Sequence, residues 1–142
     1  MKSLPLFVQA FVTYVVVDVA YQAILGFHLM TWFIERAGLQ EVYVAPSGRG
    51  LVMMLLFFVL IAWANVQLVI RPAIAARDVG QALRNGALLG AACYGTLGLT
   101  NGWSIRDFAL GSTIAIVAEG IVFSMVTSGL TTWWVLRRNP DA

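Results

Sequence analysis

Charged residues are scarce in this 142-residue chain. Asp, Glu, Lys and Arg together make up 11% of it, whereas hydrophobic residues make up 60%. Soluble globular domains typically carry about 25% charged residues. With a mean hydropathy of +0.82, the chain is far more apolar than such a domain. The composition therefore excludes the soluble class and predicts an integral membrane protein whose first partner is the lipid bilayer.

Cysteine and histidine occur once each, as Cys93 and His28. A single cysteine excludes an internal disulfide, and one residue of each kind gives poor support to a structural zinc site or a Cys–His catalytic pair. The basic residues are scattered and do not alternate with aromatic ones, which argues against nucleic-acid binding. Nucleotide-binding and nucleophile-elbow motifs are also missing. We therefore predict no catalytic residue, no metal site and no enzymatic activity.

Long apolar segments are what the chain does contain. A helix needs roughly 20 apolar residues to cross the hydrocarbon layer. We predict four spans, at about residues 5–32, 51–70, 85–100 and 108–135. Charged residues, Pro46 and Gly48 mark residues 35–49 as a surface loop, and Arg71-Pro72 is expected to end the second span. The predicted fold is all-α: a polytopic integral membrane protein with a four-transmembrane-helix bundle and one domain over residues 1–142.

Basic residues near the span ends predict the orientation of this bundle. Lys and Arg near span ends are retained on the cytoplasmic side. With four spans, one face would hold Lys2, Arg71, Arg77, Arg84, Arg137 and Arg138, and the other would hold Arg36, Arg49 and Arg106. Both termini are therefore predicted to be cytoplasmic. Trp133 and Trp134 beside the last arginines fit an aromatic belt at that interface.

Two acids, Asp18 and Glu119, lie inside predicted spans. A charged side chain near mid-bilayer costs at least about 2.5 kcal/mol and usually faces the bundle interior. Helical spacing groups Asp18 with neighbouring polar residues, and we predict an intramembrane seam of Tyr14, Asp18, Tyr21, Gln22, His28 and Glu119. No intramembrane Lys or Arg is available to pair with either acid. Two interpretations stay open: a proton path or polar-ligand pocket, and hydrogen bonding that only fixes helix packing, which we favour.

Two smaller features complete this part of the prediction. His28, near the outer end of the first span, is expected to make interfacial hydrogen bonds; the alternative is an axial ligand to haem or a (bacterio)chlorophyll pigment. One histidine is weak evidence for a pigment, so no cofactor is predicted. Gly86 and Gly90 form a G-x-x-x-G pattern, which predicts close packing of the third span against another helix.

The stretch from Tyr94 to Arg106, Y-G-T-L-G-L-T-N-G-W-S-I-R, concentrates small, polar and turn-forming residues between two apolar runs. It resembles the bacterial four-span membrane proteins of domain of unknown function 2177, in which a Tyr-x-x-x-Asp-Leu-Thr-Asn pattern is followed by a Gly-Trp-x-Leu-Arg-like element. The matching residues, called here the family-motif corner, are Tyr94, Thr100, Asn101, Trp103 and Arg106. Asp18 matches an acid of the family's first span. The resemblance implies a turn at Asn101-Gly102 and a location in the bacterial inner membrane.

The departures from the family pattern shape the functional hypothesis. Gly98 and Gly111 stand where the resemblance implies acids. We therefore predict a non-catalytic accessory subunit that packs on a larger inner-membrane assembly, respiratory or photosynthetic, with other membrane subunits as partners. The first alternative is a small proton-coupled carrier or membrane-lipid-handling protein that uses Asp18 and Glu119. The second alternative is pigment binding through His28.

Overall fold

The computed structural model describes residues 3–21, 23–24, 48–104 and 110–138 of the chain. All regular structure in these ranges is helical, which confirms the all-α prediction. The helices are α1 (Ser3–Tyr21), α2 (Gly48–Asn65), a π-helical segment (Val66–Ile70), α3 (Arg71–Ala76), α4 (Val79–Ser104) and α5 (Leu110–Arg138). Gln22, His28 and Arg106, which the sequence analysis singled out, lie outside the described residues.

Helix α2 continues through the π-helical segment into α3, past Arg71-Pro72, where the second span is predicted to end. Pro72 has no N–H and would break the hydrogen-bond ladder of a regular α-helix. The wider turn before it avoids the break, because the Arg71 N–H donates to the Val66 carbonyl, five residues earlier. The helix ends instead at Arg77, whose φ of 54° is left-handed and whose N–H caps the last turn.

Helix α4 begins earlier and ends later than predicted. Asp78 caps its start, because its carboxylate accepts a hydrogen bond from the Gln81 N–H at 3.0 Å. At the other end the helix passes through Asn101-Gly102 to Ser104, where a turn was expected. A backbone group that left the helix in lipid would lose its hydrogen bond, so glycine and asparagine remain helical more readily there than in water.

Helices α4 and α5 make the most extensive contact in the described part of the chain. Gly86 and Gly90, the predicted packing residues, both lie against α5. A Cβ atom added to Gly86 would be 2.5 Å from Ser128 Oγ, and one added to Gly90 would overlap the Gly120 carbonyl. The missing side chains therefore allow the two backbones to touch.

Helix α5 lies at the centre of the bundle, with α1, α4 and the π-helical segment packed around it. Two apolar clusters surround it at different levels. The first joins Leu6, Ala10, Val66, Ile70 and Val135 near the end where α1 begins. The second joins Tyr14, Phe58, Ile61, Tyr94 and Phe123 nearer the opposite end. Polar side chains fill the level between them.

Two helical stretches in the described ranges are long and apolar enough to cross a membrane, Leu55–Ala76 and Thr113–Arg138. Pro5–Tyr21 is a shorter apolar helix. On α1 the outward side is a row of valines with large exposed areas, at positions 8, 12, 16 and 19. An apolar outer surface of this kind is suited to lipid. The prediction of four spans stays a prediction.

Candidate functional site

Two tyrosine hydroxyls meet inside the bundle. Tyr14 on α1 is 1% exposed and Tyr94 on α4 is 6% exposed. Their hydroxyl oxygens are 3.0 Å apart, so one phenol donates a hydrogen bond to the other. A phenol has one proton and can also accept, which leaves the proton of the accepting tyrosine available to a further acceptor. The pair therefore joins two helices and can relay a proton.

Aromatic rings enclose this hydroxyl pair. The Tyr14 ring lies 5.6 Å from that of Phe58 and 6.1 Å from that of Phe123, measured between centroids. The Tyr94 ring packs edge-on against Phe57 at 5.4 Å. Edge and tilted contacts between aromatic rings at these distances stabilise packing beyond the area they bury. The enclosure keeps lipid and bulk water away from the two hydroxyls.

Gly120 on α5 determines where Tyr94 can lie. A Cβ atom added to Gly120 would overlap the ring of Tyr94. The ring therefore rests directly on the backbone of α5, beside Glu119. Tyr94 also interacts electrostatically with Glu119, which belongs to a different helix and is 25 residues later in the sequence.

Asp18 and Glu119 face the same region from different helices. Asp18 follows Tyr14 by one helical turn, and its carboxyl group interacts electrostatically with Glu119 and with Tyr94. Glu119 interacts in turn with Tyr94 and with Tyr21, whose ring is 5.0 Å from that of Phe123. We call these residues the acid–tyrosine cluster: Tyr14, Asp18, Tyr21, Tyr94 and Glu119.

The two acids of this cluster can be placed along the axes of their helices. At 1.5 Å per residue, Asp18 is about 22 Å along the axis from Ser3, and Glu119 is about 21 Å from Trp133. Both reference residues belong to the end where the arginines are. The two acids therefore lie at similar heights along the bundle, and their depth in a membrane stays a prediction.

Basic residues do not occur in the helical stretches around the cluster. Residues 3–21, 50–70, 85–104 and 110–136 contain no Lys, Arg or His. Carboxyl groups and phenols that interact electrostatically with one another also couple their binding of protons. The cluster therefore has the composition of a site that binds and exchanges protons.

Most of the amino-acid sequence matches the profile of one protein family. The sequence profile of the predicted membrane proteins called DUF2177 matches residues 3–133 of the chain. The chain belongs to this family. The match confirms the family that the motifs indicated and, together with the two long apolar helices, identifies a membrane protein. No curated protein and no solved structure gave a significant match.

The structure divides the predicted residues of this DUF2177 protein into two groups. Tyr14, Asp18, Tyr21 and Glu119 of the predicted seam are brought together, whereas Gln22 and His28 lie outside the described residues. Tyr94 was predicted only as part of the family-motif corner, yet it is central to the cluster. A tyrosine flanked by small residues on a long apolar helix was the available signal.

The rest of the family-motif corner lies away from the cluster or is not described. The Thr100 hydroxyl is exposed and bonds the Thr96 carbonyl of its own helix at 2.8 Å. Asn101 and Trp103 belong to the last turn of α4. Gly98, which replaces the acid implied by the resemblance, lies against α5, and a Cβ atom there would be 3.1 Å from Thr113 Cγ2. A longer side chain at position 98 would press on α5.

Sequence reasoning also missed a row of buried polar side chains on α5. Its residues, together with one asparagine of α2, are each at most 1% exposed, and we call them the polar stripe: Asn65, Ser124, Thr127, Ser128, Thr131 and Thr132. Ser128 Oγ is 2.6 Å from Asn65 Oδ1 and also contacts the Ser124 carbonyl. The repeated Ser and Thr at spacings of three and four was the sequence signal for a polar face.

Proposed function

We propose that this DUF2177 protein is a four-span, proton-coupled carrier of the bacterial inner membrane and that the acid–tyrosine cluster is its proton-binding site. The observation that carries the proposal is that Asp18 on α1 and Glu119 on α5 lie within electrostatic range of each other, beside the buried Tyr14–Tyr94 hydroxyl pair. An ionisable side chain inside a membrane costs free energy. Such residues are therefore rare, and they commonly mark the pathway of a proton or a substrate.

The arrangement couples proton binding to helix contact. When both carboxyl groups are ionised, they repel each other across the α1–α5 contact, and the repulsion is strong because the surroundings are apolar. A proton bound between them removes that repulsion. Since the two groups belong to different helices, the protonated and deprotonated sites favour different separations of α1 and α5. A proton can therefore shift the bundle between two conformations.

The ends of the helices support the orientation with cytoplasmic termini. Arg137 lies 5.1 Å from the Trp133 ring and Arg138 lies 4.4 Å from the Trp134 ring, at the end of α5. Arginine over tryptophan at a helix end is suited to the headgroup region, where the ring is half in lipid and the cation is solvated. Arg77 ends the continuous helix formed by α2, the π-helical segment and α3, and Arg71 follows Ile70, which packs with Val135 near the same end of α5.

Proton flux into proteoliposomes tests this proposal. Vesicles containing a pH-sensitive dye are given a pH gradient in a buffer with a panel of amino acids, sugars and small carboxylic acids. We expect the protein to dissipate the gradient faster than empty vesicles do. Asp18→Asn and Glu119→Gln keep the shape of each side chain and remove its titration, so each should abolish the difference.

Asp78→Asn is the matched control for these variants. Asp78 is an exposed acid at the start of α4, 3.6 Å from Arg84, and is remote from the cluster. The Asp78→Asn substitution should therefore leave the proton flux unchanged. Wild-type flux equal to that of empty vesicles, or full flux in both Asp18→Asn and Glu119→Gln, would contradict the proposal.

The accessory-subunit hypothesis is the second candidate. The observation in its favour is that Gly98 and Gly111 replace acids implied by the family resemblance. Its test is the native mass of the protein purified in mild detergent, where stable companion subunits are expected. A monomer with no companion would contradict it.

Lipid handling and pigment binding also remain proposals. Lipid handling would use the same Asp18 and Glu119, and lipid turnover in the proteoliposomes, lost in the Asp18→Asn and Glu119→Gln variants, would support it. Pigment binding would use His28, which lies outside the described residues. An absorption spectrum of the purified protein tests it, because haem and chlorophyll-type pigments have intense visible or near-infrared bands.

A further inference from the structure

The polar stripe contains buried polar atoms that lack hydrogen-bond partners. Among the residues that the structure describes, no partner is found for Asn65 Nδ2, Ser124 Oγ, Thr127 Oγ1, Thr131 Oγ1 and Thr132 Oγ1. Buried polar atoms in folded proteins are nearly always paired, with protein groups or with bound water. Four of these atoms lie on one face of α5 and the fifth belongs to Asn65 of α2, so the five need a common explanation.

Other threonines of the same chain show what a hydroxyl does when it has no other role. The hydroxyls of Thr13, Thr96 and Thr100 each donate to the carbonyl four residues earlier on their own helix, at 2.8 Å. Such a bond is the usual way for a helix in lipid to satisfy a hydroxyl. The threonines of the polar stripe do not make it, so their hydroxyls are free to bind something in the interior of the bundle.

Ser128 limits how the atoms of the stripe can pair with one another. Its hydroxyl has one proton, yet its oxygen contacts both the Asn65 amide and the Ser124 carbonyl. Both contacts are satisfied together when Asn65 donates to Ser128 and Ser128 donates to Ser124. That arrangement leaves the amide oxygen of Asn65 as the unpaired atom. With either orientation of the amide, one of its two polar atoms still needs a partner.

The stripe begins at the acid–tyrosine cluster. Ser124 Oγ is close to the Tyr14 hydroxyl but lies outside hydrogen-bonding geometry. From Ser124 the stripe runs along α5 to Thr132, which is about 12 Å at 1.5 Å per residue. It ends one turn before Val135, which packs with Leu6 and Ile70 in the apolar cluster near the arginines. The polar stripe thus adjoins the acid–tyrosine cluster at one end, and apolar side chains close its other end.

We infer that the polar stripe binds a file of internal water molecules that extends proton exchange from the acid–tyrosine cluster to within one helical turn of this apolar layer. Water fits because it donates and accepts hydrogen bonds at once, and it therefore pairs with hydroxyls and with either end of an amide. The stripe carries no charge that would select an ion. The proton-exchange role rests on the proposed carrier function, whereas the binding of water does not.

Infrared difference spectroscopy in water and in H₂¹⁸O tests the binding of water. The O–H stretching bands of internal water shift with the isotope, whereas those of protein hydroxyls do not. We expect such bands in the wild type and their loss in the Thr127→Val, Thr131→Val double variant. Thr96→Val is the matched control, because its hydroxyl is exposed and bonds its own helix. Bands that persist in the double variant, or that disappear equally in Thr96→Val, would overturn the inference.

Thermal unfolding gives a second measure of the same point. Valine has nearly the shape of threonine without the hydroxyl. If the Thr127 and Thr131 hydroxyls were dry and unpaired, their removal would raise the unfolding temperature. With bound water, the double variant should not be more stable than the wild type. A clear rise in the unfolding temperature of the double variant would therefore contradict the binding of water. The Thr96→Val control measures any effect of replacing threonine by valine elsewhere on a helix.

Proton flux separates failure of this inference from failure of the proposed function. The double variant should lower the flux at least about tenfold, through a higher barrier to proton transfer, whereas Asp18→Asn should abolish the flux and keep the water bands. If the double variant loses the water bands but keeps the wild-type proton flux, the water is bound and only its role in proton exchange is overturned. If the wild type shows no flux, the carrier function fails and the bands still decide whether water is bound.

Discussion

Removal of the hydroxyl from one tyrosine of the buried pair should cost more than removal of both. In Tyr14→Phe the Tyr94 hydroxyl loses its partner at 3.0 Å while it stays buried among Phe57, Phe58 and Phe123. An unpaired buried hydroxyl costs roughly 1–3 kcal/mol, whereas replacement of both partners by apolar groups of the same shape is nearly neutral. The Tyr14→Phe, Tyr94→Phe double variant should therefore be more stable than the sum of the single effects predicts.

The size of this coupling follows from the surroundings of the pair. Interhelical hydrogen bonds in membrane proteins couple by about 0.6 kcal/mol on average and by at most about 1.7 kcal/mol. Ser124 lies close to the Tyr14 hydroxyl and can replace part of a lost bond, so the coupling free energy should be about 1 kcal/mol, inside that range and below its upper limit. Reversible unfolding of the four proteins of the cycle in mixed detergent–lipid micelles measures it. Tyr21→Phe serves as a control because its ring packs on Phe123 outside the pair.

Additive single effects would refute this reasoning. If the double variant equals the sum of the single variants within about 0.5 kcal/mol, the two hydroxyls are independent. The Tyr14–Tyr94 contact would then contribute nothing specific to the packing of α1 on α4. The relay of protons through the pair would lose its structural basis as well.

Two further substitutions test the packing and capping of α4. Gly120→Ala should destabilise the fold by about 1–3 kcal/mol, because the new Cβ meets the Tyr94 ring. Gly48→Ala is the control, because Gly48 has open space around it. Equal unfolding free energies for the Gly120→Ala and Gly48→Ala variants would contradict the close contact. Asp78→Ala should cost about 0.5–2 kcal/mol through loss of the N-cap. Arg84→Ala should cost under about 1 kcal/mol, because its ion pair with Asp78 is exposed. If Arg84→Ala lowers the unfolding free energy more than Asp78→Ala does, the ion pair and not the Asp78 cap stabilises the start of α4.

The ends of the helices show where local patterns mislead. Pro72 and Asn101-Gly102 are strong signals for a helix end in water, and both lie inside helices here. The π-helical turn moves the hydrogen bonds by one residue and accommodates the proline. At the other site, the helical backbone of α4 continues through Asn101 and Gly102 to Ser104.

The candidate site shows the same division between local and distant information. Asp18 and Glu119 stood out in the sequence because acids are rare in apolar segments, and spacing placed Tyr14 and Tyr21 beside Asp18. Tyr94 carried no comparable signal. Its role depends on Gly120, which lets the ring rest on α5, and no spacing rule predicts a contact between those two residues.

The amino-acid sequence by itself determined that this is an all-helical membrane protein of the DUF2177 family and that two acids lie inside its apolar segments. These properties depend on composition and on hydrogen bonds between residues a few positions apart. Only the tertiary structure decided that Tyr14 pairs with Tyr94, 80 residues away, and that the polar face of α5 is buried with unpaired hydroxyls. Those outcomes depend on which helix faces meet, and in the described part of the chain glycines permit the close approach of α4 and α5.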